Sequence, residues 1–261
     1  MSFKRIPCLF FNASQLVAEG LRLLLNLCFG GGECLVCGKQ TVMGQVCKKC
    51  RDRIADGIVN PPPGEERCSV CGKILLSESG KCMDCRRNNV IGSCDRVFPM
   101  LSYRLWAKNL MFQWKSMEKR GISPFIASLC NKAILFRLEM KDVVVVPVPP
   151  RPGKMRKKGW DQIDEICRFL DFRYGYKVMH LLRRNATVQQ KKLGRAQRLE
   201  SAEKSYALSG NLDAMDREKL PECVIIIDDV MTTGITVETC AAELKKAGIK
   251  KVVVLTVFVV D

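Results

Sequence analysis

The sequence has a single histidine, His180, among its 261 residues. This scarcity argues against catalytic sites in which a histidine activates a serine or a cysteine. It also excludes the H-E-x-x-H zinc motif, which needs two histidines. Because His180 adjoins Leu181 and Leu182 at a predicted strand end, we interpret it as a structural residue rather than as a general base.

Long apolar runs are missing as well, and no stretch reaches the length of a membrane span. The first residues combine two positive charges with only a short apolar run before Asn12 and Gln15, so they do not predict a signal peptide. We therefore expect a cytoplasmic protein with no membrane insertion. Neither a Walker A motif nor G-x-G-x-x-G occurs, which excludes P-loop and Rossmann nucleotide sites.

Acidic residues are outnumbered, with 27 Asp and Glu against 43 Lys and Arg and a formal net charge of +16. The excess is concentrated in residues 150–204, which hold fifteen basic and six acidic side chains. Such a stretch suits a phosphate-rich ligand or a nucleic-acid backbone. A solvated basic surface with no ligand is the alternative.

Cysteine, by contrast, is abundant, with fifteen residues. In the cytoplasm such cysteines rarely form disulfides, and four C-x2-C pairs form two sets with the spacing of zinc ligands. The first set is Cys34, Cys37, Cys47 and Cys50, and the second set is Cys68, Cys71, Cys82 and Cys85. We predict one tetrahedral Zn²⁺ in each set, closed locally. Structural disulfides and redox-active pairs remain alternatives.

The two sets belong to an internal repeat, since CLVCGK at 34–39 and CSVCGK at 68–73 share five of six residues. A glycine stands where each knuckle turn needs a permissive backbone, at Gly38 and Gly72. The repeat predicts a double zinc ribbon. The other cysteines are scattered, and those in helical patterns are interpreted as small core residues, namely Cys130, Cys167 and Cys240.

Strand and helix patterns alternate after residue 97. The predicted strands are 143–146, 178–182, 224–227 and 252–259, and the predicted helices are 123–140 and 160–174. This order indicates an α/β domain with a parallel sheet covered by helices on both faces. We expect an N-terminal amphipathic helix within 1–32, the double ribbon in 33–90 and the α/β domain in 95–261.

The segment VIIIDDVMTTGIT, at 224–236, places two acids and a small-residue loop between a predicted buried strand and a helix. Ligands bind at the carboxyl ends of strands in such sheets, and loop N–H groups at a helix start can hold a phosphate. Adjacent carboxylates can bind sugar hydroxyls or organise Mg²⁺. A strand that ends in a simple turn and an N-cap is the alternative.

This segment resembles the phosphoribosyl-pyrophosphate (PRPP) motif of type I phosphoribosyltransferases. The resemblance assigns Asp228 and Asp229 to the ribose hydroxyls. It assigns the 5′-phosphate to the following loop, which is Thr232, Thr233, Gly234, Ile235 and Thr236.

Two basic segments follow other predicted strands and carry anion-binding side chains. In a phosphoribosyltransferase the first corresponds to the pyrophosphate loop, with Arg151, Arg156 and Lys158 as ligands. The second, at 183–206, corresponds to a lid that excludes water from the site. Its candidate residues are Gln190, Arg195 and Arg198.

The whole chain resembles the ComF competence proteins, which join a double zinc ribbon to a phosphoribosyltransferase fold. The matches run from the ribbons through Tyr103, Lys115 and KKGWDQ at 157–162 to the lid and the DDVMTTGIT loop. Two positions depart from the family pattern: Lys158 replaces an arginine, which loses a bidentate donor, and Ser201 replaces an asparagine.

The resemblance implies Mg-dependent PRPP binding and a role in DNA uptake during natural transformation, with single-stranded DNA or uptake proteins as partners. Trp160 is the main candidate for base stacking. An active phosphoribosyltransferase acting on an unknown nitrogen base is the alternative, and the zinc ribbons are then the available hood over the base. Ribbons that only stabilise the chain are a third reading.

Overall fold

The structure is a computed structural model that describes residues 17, 20, 21, 24, 32–41, 44–88, 90–185, 205–209 and 220–260. Most of the predicted N-terminal helix lies outside these residues, although the four described positions within it are helical. The predicted lid residues Gln190, Arg195 and Arg198 also lie outside the described residues. No helix in the described ranges is both long and apolar enough to cross a membrane.

Two small cysteine-containing units precede the α/β domain. The first zinc unit (residues 32–41 and 44–60) contains strands β1 (Gly32–Glu33) and β2 (Gln40–Thr41) and helix α1 (Lys48–Val59). The second zinc unit (residues 65–88) contains helix α2 (Met83–Arg87). Gly38 and Gly72 have φ angles of 73° and 70°, as the knuckle turns required.

The α/β domain alternates strands and helices along the chain. Its elements are β3 (Arg96–Ser102), α3 (Leu105–Lys115), a 3₁₀ turn (Arg120–Ile122), α4 (Ser123–Phe136), β4 (Val144–Pro147), α5 (Lys154–Lys158), α6 (Gln162–Tyr174), β5 (Leu182–Arg184), β6 (Tyr206–Leu208), β7 (Cys223–Met231), α7 (Ile235–Lys246) and β8 (Lys251–Val259).

A parallel four-stranded sheet with strand order β3-β8-β7-β4 forms the centre of this domain. Strands β4, β7 and β8 are rich in Val and Ile, and most residues of all four strands are buried, which is typical of a parallel sheet covered on both faces. The predicted fold class, an α/β phosphoribosyltransferase-like sheet preceded by two four-cysteine units, is therefore confirmed.

The two zinc units pack on opposite faces of the sheet. Ile225 and Ile227 of β7 belong to the core cluster that contains α3, α4, α6 and the first zinc unit. Val224 and Ile226 belong to the other cluster, with α7 and the second zinc unit. Because side chains alternate along a strand, each face of the sheet has its own helices and its own cysteine set.

Some predicted boundaries were wrong. The strand predicted at 178–182 is only a single parallel bridge from Val178 to Val145, and the chain pairs later, as the antiparallel hairpin of β5 and β6. Helix α4 begins at Ser123, as predicted. That helix ends at Phe136 rather than near residue 140.

Candidate functional site

Strand β7 carries both acids within its ladder rather than after its end, so the predicted strand boundary at 227 was wrong. β7 continues to Met231, and Asp228 is paired in register with Thr256 of β8. Since successive side chains alternate, Asp228 lies on the α7 face of the sheet and Asp229 on the α3 face. The two acids therefore lie at the carboxyl end of the sheet, with one side chain on each of its faces.

Lys115, the last residue of α3, forms an ion pair with Asp229, with 2.5 Å between Nζ and Oδ2. The carboxylate is mostly buried, with 17% of its side chain exposed, whereas the lysine is 41% exposed. A cation so close to an acid pair balances part of its charge and leaves donor capacity for an anionic ligand. In the sequence Lys115 stood out only through the family resemblance, because nothing local links it to residue 229.

Asp228 is buried and hard to ionise. The pKa of Asp228 is raised from 3.8 to about 7, first by burial and then by the negative charge of Asp229. Its Oδ1 accepts a 2.8 Å hydrogen bond from the backbone N–H of Asp229, which opposes the shift. A carboxyl group held in this way is characteristic of binding and catalytic sites, although ion networks produce similar shifts.

A buried hydroxyl lies beside Asp228. Among the described residues, Oγ1 of Thr256 is a buried side-chain atom with no hydrogen-bond partner. Because buried hydroxyls are nearly always satisfied by protein or water, this group marks a position where a water molecule or a ligand oxygen would be stabilised.

The candidate phosphate loop (residues 232–236) connects β7 to α7. Thr232 and Thr233 are exposed, and Gly234 is buried with a φ angle of 82° immediately before the helix. Only glycine adopts this left-handed conformation without strain. The N-terminal N–H groups of the twelve-residue helix α7 have no partners within the helix, so the loop and helix together can bind an anion.

Tyr206 of β6 anchors the same loop from the side. Its hydroxyl is hydrogen-bonded to Thr236, and burial raises the pKa of Tyr206 to about 12. The β5–β6 hairpin is continued by a 2.8 Å hydrogen bond from Asn185 N–H to the carbonyl of Ser205. The two ends of the predicted lid segment are thereby held together next to α7.

The basic segment (residues 151–158) leaves β4 and forms the short helix α5. Arg151 and Arg156 are exposed, and glycines with left-handed φ angles of 78° and 71° flank the helix at Gly153 and Gly159. Lys158 is ion-paired with Glu118. The first residue past β4, Val148, donates a 3.0 Å hydrogen bond to the carbonyl of Ile227, which ties this segment to the strand that carries the acid pair.

Trp160 does not have the accessibility that base stacking needs, so its prediction as a stacking residue was wrong. Its side chain is 5% exposed, and the Arg120 guanidinium covers its ring with 5.5 Å to the centroid. Its Nε1 donates a 3.4 Å hydrogen bond to Glu118, so tertiary contacts bury a residue that the sequence places among basic, exposed neighbours.

Sequence analysis missed a buried network behind the basic segment. Glu165 of α6 is 4% exposed and accepts hydrogen bonds from Arg120 at 2.8 Å and from Ser123. Ser123 in turn accepts a 2.9 Å bond from Trp114 Nε1. A buried carboxylate needs such partners. Its sequence signal is a glutamate on the apolar face of a helix, next to Ile166.

Each cysteine set has the geometry of one metal site. The four sulfur atoms within a set lie within 4.8 Å of one another. The separations from Cys37 to Cys47 and from Cys71 to Cys82 are 3.8 Å and 3.7 Å, close to the roughly 3.8 Å expected for tetrahedral Zn–S bonds of about 2.3 Å. A disulfide has sulfurs only about 2 Å apart. Each set can therefore hold a zinc ion.

Thiol ionisation differs within each set. Burial raises the pKa of Cys34, but backbone hydrogen bonds, first from Cys47, bring it down to about 6. Burial and the neighbouring cysteines raise the pKa of Cys50 to about 12. The second set shows the same contrast, because the pKa of Cys68 is lowered to about 6 and the pKa of Cys85 is raised to about 12. Four thiolates thus need a bound cation to coexist, as a coordinating metal provides.

His180 is 63% exposed in its side chain and lies 3.8 Å from a carboxylate oxygen of Asp164.

Cys130, Cys167 and Cys240 are fully buried within helices, which confirms their interpretation as core residues.

No protein-family model matches the sequence. Among curated proteins, the chain is 25% identical over 191 residues to competence protein ComFC of Streptococcus pneumoniae (strain ATCC BAA-255 / R6). The alignment covers 72% of this chain and 79% of that relative. Similarity over most of the chain, together with two four-cysteine groups, confirms the resemblance to the ComF competence proteins that the sequence indicated.

Proposed function

We propose that the protein binds PRPP together with Mg²⁺ at the carboxyl end of β7. The observation that carries this proposal is the convergence of Asp228, Asp229 and Lys115 at the point where β7 leads into the candidate phosphate loop. A site that joins carboxylates, a cation and a helix N-terminus suits a ligand with sugar hydroxyls and phosphates. Family resemblance supplies the identity of that ligand.

The ligand's parts correspond to separate elements of this site. The acid pair would hold the ribose hydroxyls, and the candidate phosphate loop would hold the 5′-phosphate. Arg151, Arg156 and Lys158 of the basic segment would hold the pyrophosphate, and Mg²⁺ would neutralise part of its charge. Segment 183–206, with Gln190, Arg195 and Arg198, would supply the lid over the bound ligand.

Calorimetric titration with Mg·PRPP tests the proposal. The wild-type protein should bind saturably, and the Asp228→Asn/Asp229→Asn double variant should lose binding at least tenfold, because neutral amides hold ribose hydroxyls and Mg²⁺ more weakly than carboxylates do. Asp52→Asn/Asp56→Asn is a matched control, since both acids are exposed on α1. Zinc content and circular dichroism must match the wild type. A wild-type protein that is folded, zinc-loaded and unable to bind PRPP contradicts the proposal.

We further propose that the protein works in DNA uptake during natural transformation, in the cytoplasm. The competence protein to which it is similar supports this role. The exposed cations of the basic segment can contact a single-stranded backbone, although buried Trp160 cannot stack on bases.

Fluorescence anisotropy with labelled single-stranded DNA tests this role at two salt concentrations. Affinity should fall as salt rises from about 50 to 200 mM, and Arg156→Ala/Lys157→Ala should reduce both the affinity and its salt dependence. Lys48→Ala/Lys49→Ala on α1 is a matched control of equal charge. Failure to bind DNA at low salt would leave uptake proteins as the partners.

A second candidate function, phosphoribosyl transfer to a nitrogen base, is favoured by a cleft of about 790 Å³ between the first zinc unit and α3. Amide side chains line it, including Gln45, Asn109 and Gln113, and they can donate to and accept from the edge of a base. Asn109 and Gln113 lie on the same helix as Lys115, which contacts Asp229.

In this reaction the base nitrogen would bond to the ribose anomeric carbon while the carbon–oxygen bond to pyrophosphate breaks. Pyrophosphate would leave with the bonding electrons, stabilised by the basic segment and Mg²⁺, and the proton lost by the base nitrogen would pass to the departing pyrophosphate or to water. A screen of nucleobases for pyrophosphate release tests this function. Release with one base that Gln113→Ala abolishes would support it, and PRPP binding without any release would contradict it.

A further inference from the structure

The segment that leaves the second zinc unit runs directly over the candidate phosphate loop. Residues 88–95 connect α2, which carries Cys85, to β3. On the way, Ile91 is buried against the loop, and its Cδ1 lies 2.8 Å from the position that a Cβ atom on Gly234 would occupy. A side chain at 234 would collide with Ile91 as well as suffer a φ angle of 82°. Gly234 is needed because its backbone is left-handed, and a Cβ atom there would also push the end of the Ile91 side chain aside.

A carboxylate in the first turn of α7 holds this segment in place. Glu238 accepts hydrogen bonds from the backbone N–H of Gly92 at 2.9 Å and of Ser93 at 2.9 Å. The Ser93 hydroxyl adds a 2.6 Å bond. Glu238 also donates its own N–H to the carbonyl of Gly234 at 3.0 Å, so one residue links the segment and the loop.

The orientation of the Glu238 carboxylate affects anion binding at the loop. A negative side chain near a helix N-terminus can compete with a bound anion for the same N–H groups. Both oxygens of Glu238 are occupied by the segment instead. Its bonds with two N–H groups and a hydroxyl are charge-assisted and therefore stronger than neutral ones. Glu238 is thus turned away from the loop that it stabilises.

We propose that Glu238 is a positioning residue for the phosphate subsite, which clamps residues 91–93 against Gly234 and makes the second zinc unit the outer support of that subsite. The inference rests on the proposed binding of PRPP. The first zinc unit has no comparable role, because it packs on the opposite face of the sheet.

Binding of separate ligand fragments to the full-length, zinc-loaded protein tests the clamp. Glu238→Gln keeps the size of the side chain but places an amide donor against N–H groups, so the affinity for ribose 5-phosphate and PRPP should fall about tenfold. The affinity for Mg·pyrophosphate should stay within about twofold. Glu243→Gln is the matched control, because this residue lies on the same helix and, in the described part of the chain, forms its ion pair with the exposed Lys246.

Hydrogen exchange without ligand supplies a second readout. Amides of residues 238–240, the first in α7 with hydrogen-bond partners, should exchange at least tenfold faster in Glu238→Gln and in Ile91→Ala, whereas Ile91→Val should restore most of the protection. Amides of the sheet should keep their wild-type rates, because loss of the clamp does not unfold the domain.

The outcomes separate this inference from the function on which it rests. If the wild-type protein binds neither PRPP nor ribose 5-phosphate, both the proposed function and this inference are wrong. Wild-type binding with Glu238→Gln unchanged overturns the clamp alone. Equal weakening of ribose 5-phosphate and pyrophosphate also overturns it, because the role would then be general stability rather than positioning.

Discussion

At the scale of single residues, burial of the Asp228 carboxyl group lowers the free energy of unfolding of the protein. The folded protein keeps its proton up to about pH 7, whereas an unfolded chain loses it near 3.8. Unfolding within this window releases a proton, so raising the pH across it favours the unfolded state. Proteins retain such groups where function needs them.

Asp228→Asn should therefore stabilise the protein at pH 8, by at least about 1 kcal/mol, or roughly 2–4 °C in the thermal midpoint. The gain should shrink as the pH falls to 5.5, because the wild-type penalty also shrinks. Thermal unfolding at several pH values measures it, with the exposed Asp52→Asn as the control. A gain that does not depend on pH would argue against a raised pKa at Asp228.

At the scale of elements, the repeat produces two similar knuckles in different surroundings. Gly38 and Gly72 share left-handed φ angles of 73° and 70°, but no described residue lies within 4 Å of a Cβ atom built on Gly38. A Cβ atom on Gly72 would lie 2.3 Å from the carbonyl oxygen of Val97 and 2.6 Å from the Pro99 ring. The second knuckle is therefore pressed against strand β3.

Alanine at these two positions should separate backbone strain from packing. Both substitutions pay about 1–2 kcal/mol for the left-handed conformation. Gly72→Ala should cost about 1–3 kcal/mol more, because strand backbone cannot move aside easily. Urea unfolding of the zinc-loaded variants measures the difference. Equal losses would mean that the second zinc unit is not firmly docked on β3.

Element types were more predictable than element ends. The strands near 144, 224 and 252 and the helices from 123 and 162 follow from buried Val and Ile runs and helical periodicity, which are local properties. The extension of β7 through its acids was not predictable, because neighbouring β8 supplies the ladder partners of Asp228 and Val230. Pairing between distant segments overrides the low strand propensity of aspartate.

At the scale of the whole molecule, the sheet separates two zinc units of unequal exposure. In the first set Cys37 is exposed and Cys47 half-buried, whereas in the second set only Cys85 is not fully buried. Lys73 is also buried beside the second set, where it pairs with Asp84 at 3.2 Å. A chelator therefore has easier access to the first set.

Chelation should remove two zinc ions per chain in two phases, the first from the exposed set. Because Cys37 would be the exposed ligand of the first set, Cys37→Ser should abolish the fast phase and leave the slow one. A colorimetric zinc indicator follows both phases, and circular dichroism follows the fold. A single phase in the wild type, or loss of the slow phase in Cys37→Ser, would contradict the order of release.

The sequence by itself determined the two cysteine sets, the α/β class and the segment that joins an acid pair to a phosphate-type loop. These follow from ligand spacing, strand composition and glycine placement within short stretches. Only the tertiary structure decided that the zinc units lie on opposite faces, that Lys115 reaches Asp229, that Trp160 is buried, and that Glu238 holds residues 91–93. These features depend on contacts between residues far apart in the chain, which the folded sheet brings together and no local pattern encodes.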